Sequence, residues 1–431
     1  MKGKLNLFQA AMVRWREMHP YNAVHVVHLS RPLDVTRLEV GIRRRLEELG
    51  LTGLGLDPRR LRYEWSGGAT TATVAVVAGG ADALATLHGE IERQLNLAFP
   101  AAGRFDPFRF FVVVVDKASF HLGIAYDHFV AGGDSIVLLL QRFVEDYCGI
   151  EHSGPASPRP DLYPPKYRRL FARQAIPLVR GLASLRVLVA SCRRSVRPRY
   201  ARGEDGYNGV AFFRLDSEEH ANLVRTARDW DMTQNDLFLS ILLWTLSSQV
   251  AERTQAKRRR ELAVASIVNV RRDFGAKAAN GFVPLLASFR IAHPVPAGMG
   301  LRELASFVHA ETSRIKRGKL YLQTLLAIGV SGLQWRFLSV EQRQGFHAKN
   351  YAVWAGMTPL YLDALWPAAC TYPFRLEYVR AVATGPLSPI VVALTTLGEV
   401  VQIALSFRTA AFERERVESI MADMIDCIRS L

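Results

Sequence analysis

Cysteine is scarce in this chain, and scattered. Cys148, Cys192, Cys370 and Cys427 lie far apart and form no C-x-x-C pair. Neither a disulfide framework nor a zinc site is expected, and the thiols read as reduced and mostly buried in a cytoplasmic protein that binds no metal. No run of about 18 apolar residues occurs, so no transmembrane helix is expected. The opening MKGKLNLFQAAMVRWREM has no continuous apolar stretch and no small-residue cleavage site, so no signal peptide is expected either. Zinc-finger spacing, an RNA-recognition signature and an obvious helix-turn-helix are all missing. Nucleic acid is therefore not expected as a partner, despite a net charge of +15.

Acidic residues are missing from one long segment. From Leu162 to Gly203 there is no Asp or Glu, yet Lys166, Arg168, Arg169, Arg173, Arg180, Arg186, Arg193, Arg194, Arg197, Arg199 and Arg202 all fall there, the bulk of the positive excess. The proline-rich stretch GPASPRPDLYPP leads into it and reads as a linker. Tyr167 to Val196 then shows helical periodicity interrupted by Pro177, which predicts two helices or one kinked helix. Three readings stay open for this basic segment. It is a solvated connection, a docking site for an acidic or phosphate-bearing partner through Arg193, Arg194 and Arg197, or a basic amphipathic helix on an anionic membrane surface. Lys257 to Arg260 reads as a solvated loop.

What is present suits a globular protein of two subdomains. The chain has 431 residues, 49% of them hydrophobic and 22% charged, enough apolar surface for more than one ordinary core. The boundaries predicted are 1–160, a basic connection over 161–207, and 208–431, with segments of the last crossing to the N-terminal half. Trp244, Trp335 and Trp354 read as core residues.

The most telling stretch runs from Tyr126 to Ser135 (YDHFVAGGDS). Upstream, Phe108 to Val115 (FRFFVVVV) and Phe120 to Ala125 read as strands joined by a polar turn. Downstream, Ile136, Val137, Leu140, Phe143, Val144 and Tyr147 recur at helical spacing, with Asp134 or Ser135 as the N-cap. His128 thus sits in a strand-to-helix loop beside two glycines, which let backbone amides approach a ligand. That is one way to set a general base next to an oxyanion site. On local pattern alone it is equally a surface or capping histidine beside a glycine turn.

The segment resembles the active-site loop of the condensation-domain and CoA-dependent acyltransferase superfamily, whose pattern is His-His-x-x-x-Asp-Gly-x-Ser. Aligned on His128, Gly133 and Ser135 match. Asp127 stands where the first histidine usually is, and Gly132 where the aspartate should be. Other stretches resemble the family in the same order. They are Tyr21 to Gly50, Thr233 to Leu246 (TQNDLFLSILLWTL), Val268 to Phe274 (VNVRRDF) with Asn280-Gly281-Phe282, and Val391 to Leu431. Tyr351 to Trp354 (YAVW) is similar to a family motif but lies far from its usual place, and is read as coincidence.

The resemblance implies an α/β (α+β sandwich) fold of two chloramphenicol-acetyltransferase-like subdomains in a V, with the histidine loop at their junction. It implies transfer of an acyl group from a phosphopantetheine thioester, on an acyl or peptidyl carrier protein or on CoA, to an amine or alcohol. No cofactor would be held beyond that substrate-borne arm. His128 would act as base or positioning group. Gly132, Gly133, Asp134 and Ser135 would supply the oxyanion loop, and Asp127, Asn269 and Arg271 would support it. With Gly132 in place of the aspartate, Arg271 pairs with Asp134 or Asp127, or is free for an anionic substrate. A free-standing, monomeric condensation-like acyltransferase of secondary metabolism is the leading expectation. A catalytically silent module that binds carrier proteins or recruits partners, and an acyl-CoA-dependent lipid or small-molecule O-acyltransferase, are the alternatives.

Overall fold

The computed structural model describes residues 2–150, 159–163, 167–201, 205–250, 259–275, 278, 280–294, 299–374 and 376–431. The apolar runs before the histidine form the antiparallel strands Phe108–Val114 and Phe120–Asp127. Both faces of this pair are covered, which is why FRFFVVVV is continuously apolar instead of alternating. Phe111, Val113 and Ala125 pack with Leu87, Ile91 and Leu95 of the helix Ala83–Asn96. Phe110, Val112, Ile124 and Tyr126 turn the other way, into the main core, where Phe110 meets Phe143 of the helix Gly133–Cys148 edge to face.

Asn22–Leu29 pairs antiparallel with Phe120–Asp127, and Val74–Ala78 runs parallel to Phe108–Val114. The fifth strand of this sheet, Leu376–Val382, comes from the C-terminal half and pairs with Asn22–Leu29, setting Arg380 opposite His25. The C-terminal half contributes a six-stranded sheet in the order Leu286–Pro294, Glu261–Asn269, Ala355–Tyr361, Ile390–Leu397, Val400–Arg408, Asn208–Leu215. A small four-stranded sheet (Lys2–Lys4, Arg62–Trp65, Leu54–Asp57, Gly103–Phe105) completes the N-terminal side. This is a two-lobed α/β architecture with helices against both large sheets, the fold class that the resemblance implied.

Several local expectations change. The helix after the histidine starts at Gly133, with Gly132 as N-cap and no side-chain cap, so neither Asp134 nor Ser135 caps it. Gly149, at φ 67°, closes that helix in the left-handed region where glycine carries no steric penalty. The basic segment forms two helices, Tyr167–Arg173 and Ala175–Arg194. The break is at Gln174, and Pro177 falls in the first turn of the second helix, where a missing N–H costs no hydrogen bond. Trp335 and Trp354 are buried, but Trp244 is 39% exposed, so it is not a core residue. Cys192 and Cys427 are buried, Cys148 is half-buried and Cys370 is exposed. Most of the proline-rich linker, and Lys166, Arg202, Lys257 and Arg258 of the basic clusters, lie outside the described residues. Among the described residues no helix is long and apolar enough to cross a membrane, and no cluster of His, Cys, Asp and Glu could hold a metal ion.

Gly123 shows how tightly the strand leading to the histidine is packed. It lies opposite Phe111, and a Cβ there would come within 2.1 Å of the Phe111 ring. Gly123→Ala is expected to lower stability by about 1–3 kcal/mol, as overpacking does. Denaturant unfolding measures it, and an unchanged midpoint would contradict this packing.

Candidate active site

His128 follows directly on the end of Phe120–Asp127, and its backbone N–H donates to the Tyr21 carbonyl at 3.0 Å. The imidazole packs against the rings of Tyr21 and Tyr126, with centroids 5.5 and 5.8 Å away. The residue is 8% exposed and lines a cavity of about 150 Å³. Both lobes build that cavity: His25, Tyr126 and Arg380 come from the five-stranded sheet, Ile267, Ser288 and Met357 from the six-stranded one. Burial, and then the charge of Arg380, push the His128 imidazole down to about 4, with the Ala131 backbone opposing. The ring is therefore neutral at pH 7, with its proton-accepting nitrogen available. Gly385 packs closely on the Tyr21 ring. Its φ is 62°, and a Cβ there would fall 2.7 Å from the Tyr21 ring.

Two residues beyond Gly132, Asp134 makes the ion pair with Arg271. Asp134, in the first turn of Gly133–Cys148, accepts from Arg271 Nε at 2.9 Å and from Asn269 Nδ2 at 3.1 Å through the same oxygen, Oδ2. Its Oδ1 accepts from the Ser135 N–H at 2.9 Å. The remaining donors of Arg271 go to carbonyls of Ala278, Gly281 and Val283. Arg271 is thus committed to Asp134 and to the Asn280-Gly281-Phe282 turn, which overturns the readings in which it pairs with Asp127 or awaits an anionic substrate. Ser135 Oγ reaches the Gly281 carbonyl at 3.4 Å, so the serine ties the helix start to the same turn. Gly133 and Asp134 line the cavity. As the first residues of a helix they carry amides without intrahelical acceptors, on the positive end of the helix dipole. A Cβ at Gly133 would meet the His25 ring at 3.5 Å, ordinary contact, so the glycine leaves space above His25 without being forced by the backbone.

Asp127 is not part of the cavity wall. It is buried, 2% exposed, in an ion pair with Arg16, whose guanidinium also lies over the Phe105 and Phe129 rings. Burial lifts the Asp127 carboxyl to about 7 against the pull of Arg16. The three arginines expected to dock a partner do not form a free patch. Arg193 is exposed, but Arg194 is paired with Glu261, and Arg197 is half-buried with Nη2 donating to the Lys349 carbonyl at 3.1 Å.

Several wall residues escaped the sequence reading. His25 is fully buried, its Nδ1 2.5 Å from the Tyr378 hydroxyl and its Nε2 3.4 Å from that of Tyr126. Arg380 and His25 lie on the inward face of their strands, and that alternating register was the available signal. Tyr351 and Val353, from the YAVW stretch read as coincidence, also line the cavity.

The two-lobed α/β fold, with the histidine loop at the lobe junction, is that of nonribosomal peptide synthetase condensation domains. The first condensation domain of the calcium-dependent antibiotic synthetase, in complex with a substrate analogue, superposes with a TM-score of 0.69 at 14% identity, over 99% of this chain and 96% of that one. SgcC5 from Streptomyces globisporus matches with a TM-score of 0.67 at 12% identity, over 99% and 98%. The X-domain from teicoplanin biosynthesis, solved in complex with OxyB, matches with a TM-score of 0.61 at 14% identity, over 100% and 93%. No family model and no curated relative matches the sequence.

The buried Asp127–Arg16 pair gives a prediction. Asp127→Ala leaves a guanidinium buried without its carboxylate and should cost about 3–5 kcal/mol, measured by denaturant unfolding. Arg16→Met in the same background should recover most of it. A loss below about 1 kcal/mol in the single variant would mean that the pair is solvated.

Proposed function

We propose that this chain moves an acyl group from a phosphopantetheine thioester, on a carrier protein or on CoA, to an amine or alcohol. The observation that carries this reading is the buried imidazole of His128 in a cavity wall built by both lobes, beside the start of Gly133–Cys148. His128 accepts the N–H or O–H proton of the acceptor as that atom bonds to the thioester carbonyl carbon. The amides at the helix start stabilise the tetrahedral oxyanion. The C–S bond then breaks, and the thiolate takes up the proton held by His128, leaving an amide or ester and a free thiol. Holding two reactants in a dry junction contributes entropically, so no further acid is required. Gly132 does not count against activity, because Asp134 supplies the carboxylate that Arg271 needs. The likeness to a calcium-dependent antibiotic synthetase and to a domain from teicoplanin biosynthesis supports a product of secondary metabolism.

The exposed side of Ala175–Arg194 supports an additional, peripheral contact. Ile176, Val179, Leu182, Val187 and Val189 are 48–68% exposed there, and Phe337 nearby in sequence to the packed helix Leu322–Gln334 is 87% exposed. Apolar projections with arginine as the only charge suit an anionic lipid surface better than a solvated connection.

Two outcomes are expected. With an acyl-pantetheine donor and a panel of amines and alcohols, wild type should turn over and His128→Ala should lose about 100-fold or more while folding normally. Only the neutral ring is competent, so with an alcohol acceptor, which does not titrate in this range, kcat/KM should stay flat down to about pH 5 and fall as pH drops through about 4, where burial has placed the group. Equal product from both proteins would identify a silent binding module, and an acid limb near 6.5 would mean a solvated ring. In co-sedimentation, Val179→Glu with Val187→Glu should abolish binding to phosphatidylglycerol vesicles; retained binding, or none by wild type, would refute the lipid contact.

A further inference from the structure

Arg380 has no explanation within the chemistry above. It lies on the crossing strand Leu376–Val382, is 4% exposed, and lines the same cavity as His128. Nε donates to Thr395 Oγ1 at 3.0 Å, and Nη2 to the Leu394 carbonyl at 3.1 Å and to the Thr358 carbonyl. These acceptors are neutral, and they belong to the facing sheet. Nη1 makes no hydrogen bond among the described residues, and no carboxylate there lies within ion-pair distance of the guanidinium. Arg16, Arg271 and Arg408, with side chains 6%, 14% and 11% exposed, each face a carboxylate instead: Asp127, Asp134 and Asp205. His25 and His128, which share the wall with Arg380, are themselves held neutral and provide no counter-charge.

An arginine does not lose its proton in a protein, so its charge stays buried here. Leaving such a charge unpaired is costly unless something brings the opposite sign to it. The two N–H groups of Nη1 are the donors left over, which fits one carboxylate oxygen better than the several contacts a phosphate takes.

We propose that Arg380 seats a carboxylate carried by one of the two reactants inside the cavity, the acceptor in the first instance. The assignment to a reactant rests on the acyl-transfer reading; the carboxylate site itself does not. An acceptor held this way is a small free amino or hydroxy acid, because tethering it to a carrier as a thioester consumes the carboxyl. The cavity of about 150 Å³ fits a compact molecule of that kind.

The experiment has a binding arm that needs no turnover. By calorimetry on wild type, 4-methylpentanoate should bind at least tenfold tighter than its neutral isostere 4-methylpentanamide. Arg380→Met should erase that preference, and Arg380→Lys should keep part of it. Equal binding of acid and amide to wild type overturns the proposal, even if neither variant folds. A preference that survives in Arg380→Met overturns it too. In the turnover arm, 2-hydroxy-4-methylpentanoate is compared with its methyl ester as acceptor of an octanoyl-pantetheine donor. In parallel, succinyl-pantetheine is compared with butanoyl-pantetheine against a neutral amine. A carboxylate preference confined to the donor pair refutes the acceptor assignment and moves the anion to the acyl group. Acid-selective binding with no turnover in any pair leaves the carboxylate site standing and removes the acyl-transfer reading.

Discussion

The ion pair between Arg271 and Asp134 is the constraint on which the site depends. One partner stands just past the end of a strand of the six-stranded sheet, the other in the first turn of the helix that follows the histidine loop. Their 2.9 Å contact is joined by Asn269 and by the turn carbonyls that accept from the same guanidinium. The pair therefore fixes the helix start against the other lobe. His128, in the loop that leads into this helix, is buried at the same junction, and that burial favours its neutral form.

The position of the carboxylate in the helix also matters. Residue 132 is the N-cap of the helix, and the carboxylate two residues later lies within the first turn. An anionic group there gains from the helix dipole as well as from the arginine. Asp127 has a separate job, as the counter-charge of Arg16 inside the N-terminal lobe.

Much of this was legible in the amino-acid order. The double-faced strand FRFFVVVV, the apolar spacing after Ser135, and the VNVRRDF and Asn-Gly-Phe segments each mark an element that the structure forms. Asp134 was one of two carboxylates weighed as the partner of Arg271, and only three-dimensional proximity decided between them. His25 and Arg380 were not legible as wall residues, because their meeting depends on a strand drawn from more than 350 positions away in sequence. Their inward parity on otherwise apolar strands was the trace they left. Tyr351 and Val353 of the YAVW stretch line the cavity, a placement that its spacing along the chain does not report. Among the docking arginines, sequence reports charge but not that Arg194 pairs with Glu261 or that Arg197 donates to the Lys349 carbonyl.

The account therefore turns on the state of one buried ring. A ¹⁵N-resolved NMR titration of His128 in the unliganded protein tests it most directly. The expected result is an imidazole that stays neutral on acidification until about pH 4. A ring that titrates near the ordinary value of 6.5 would place it in water and contradict the dry junction on which the chemistry rests.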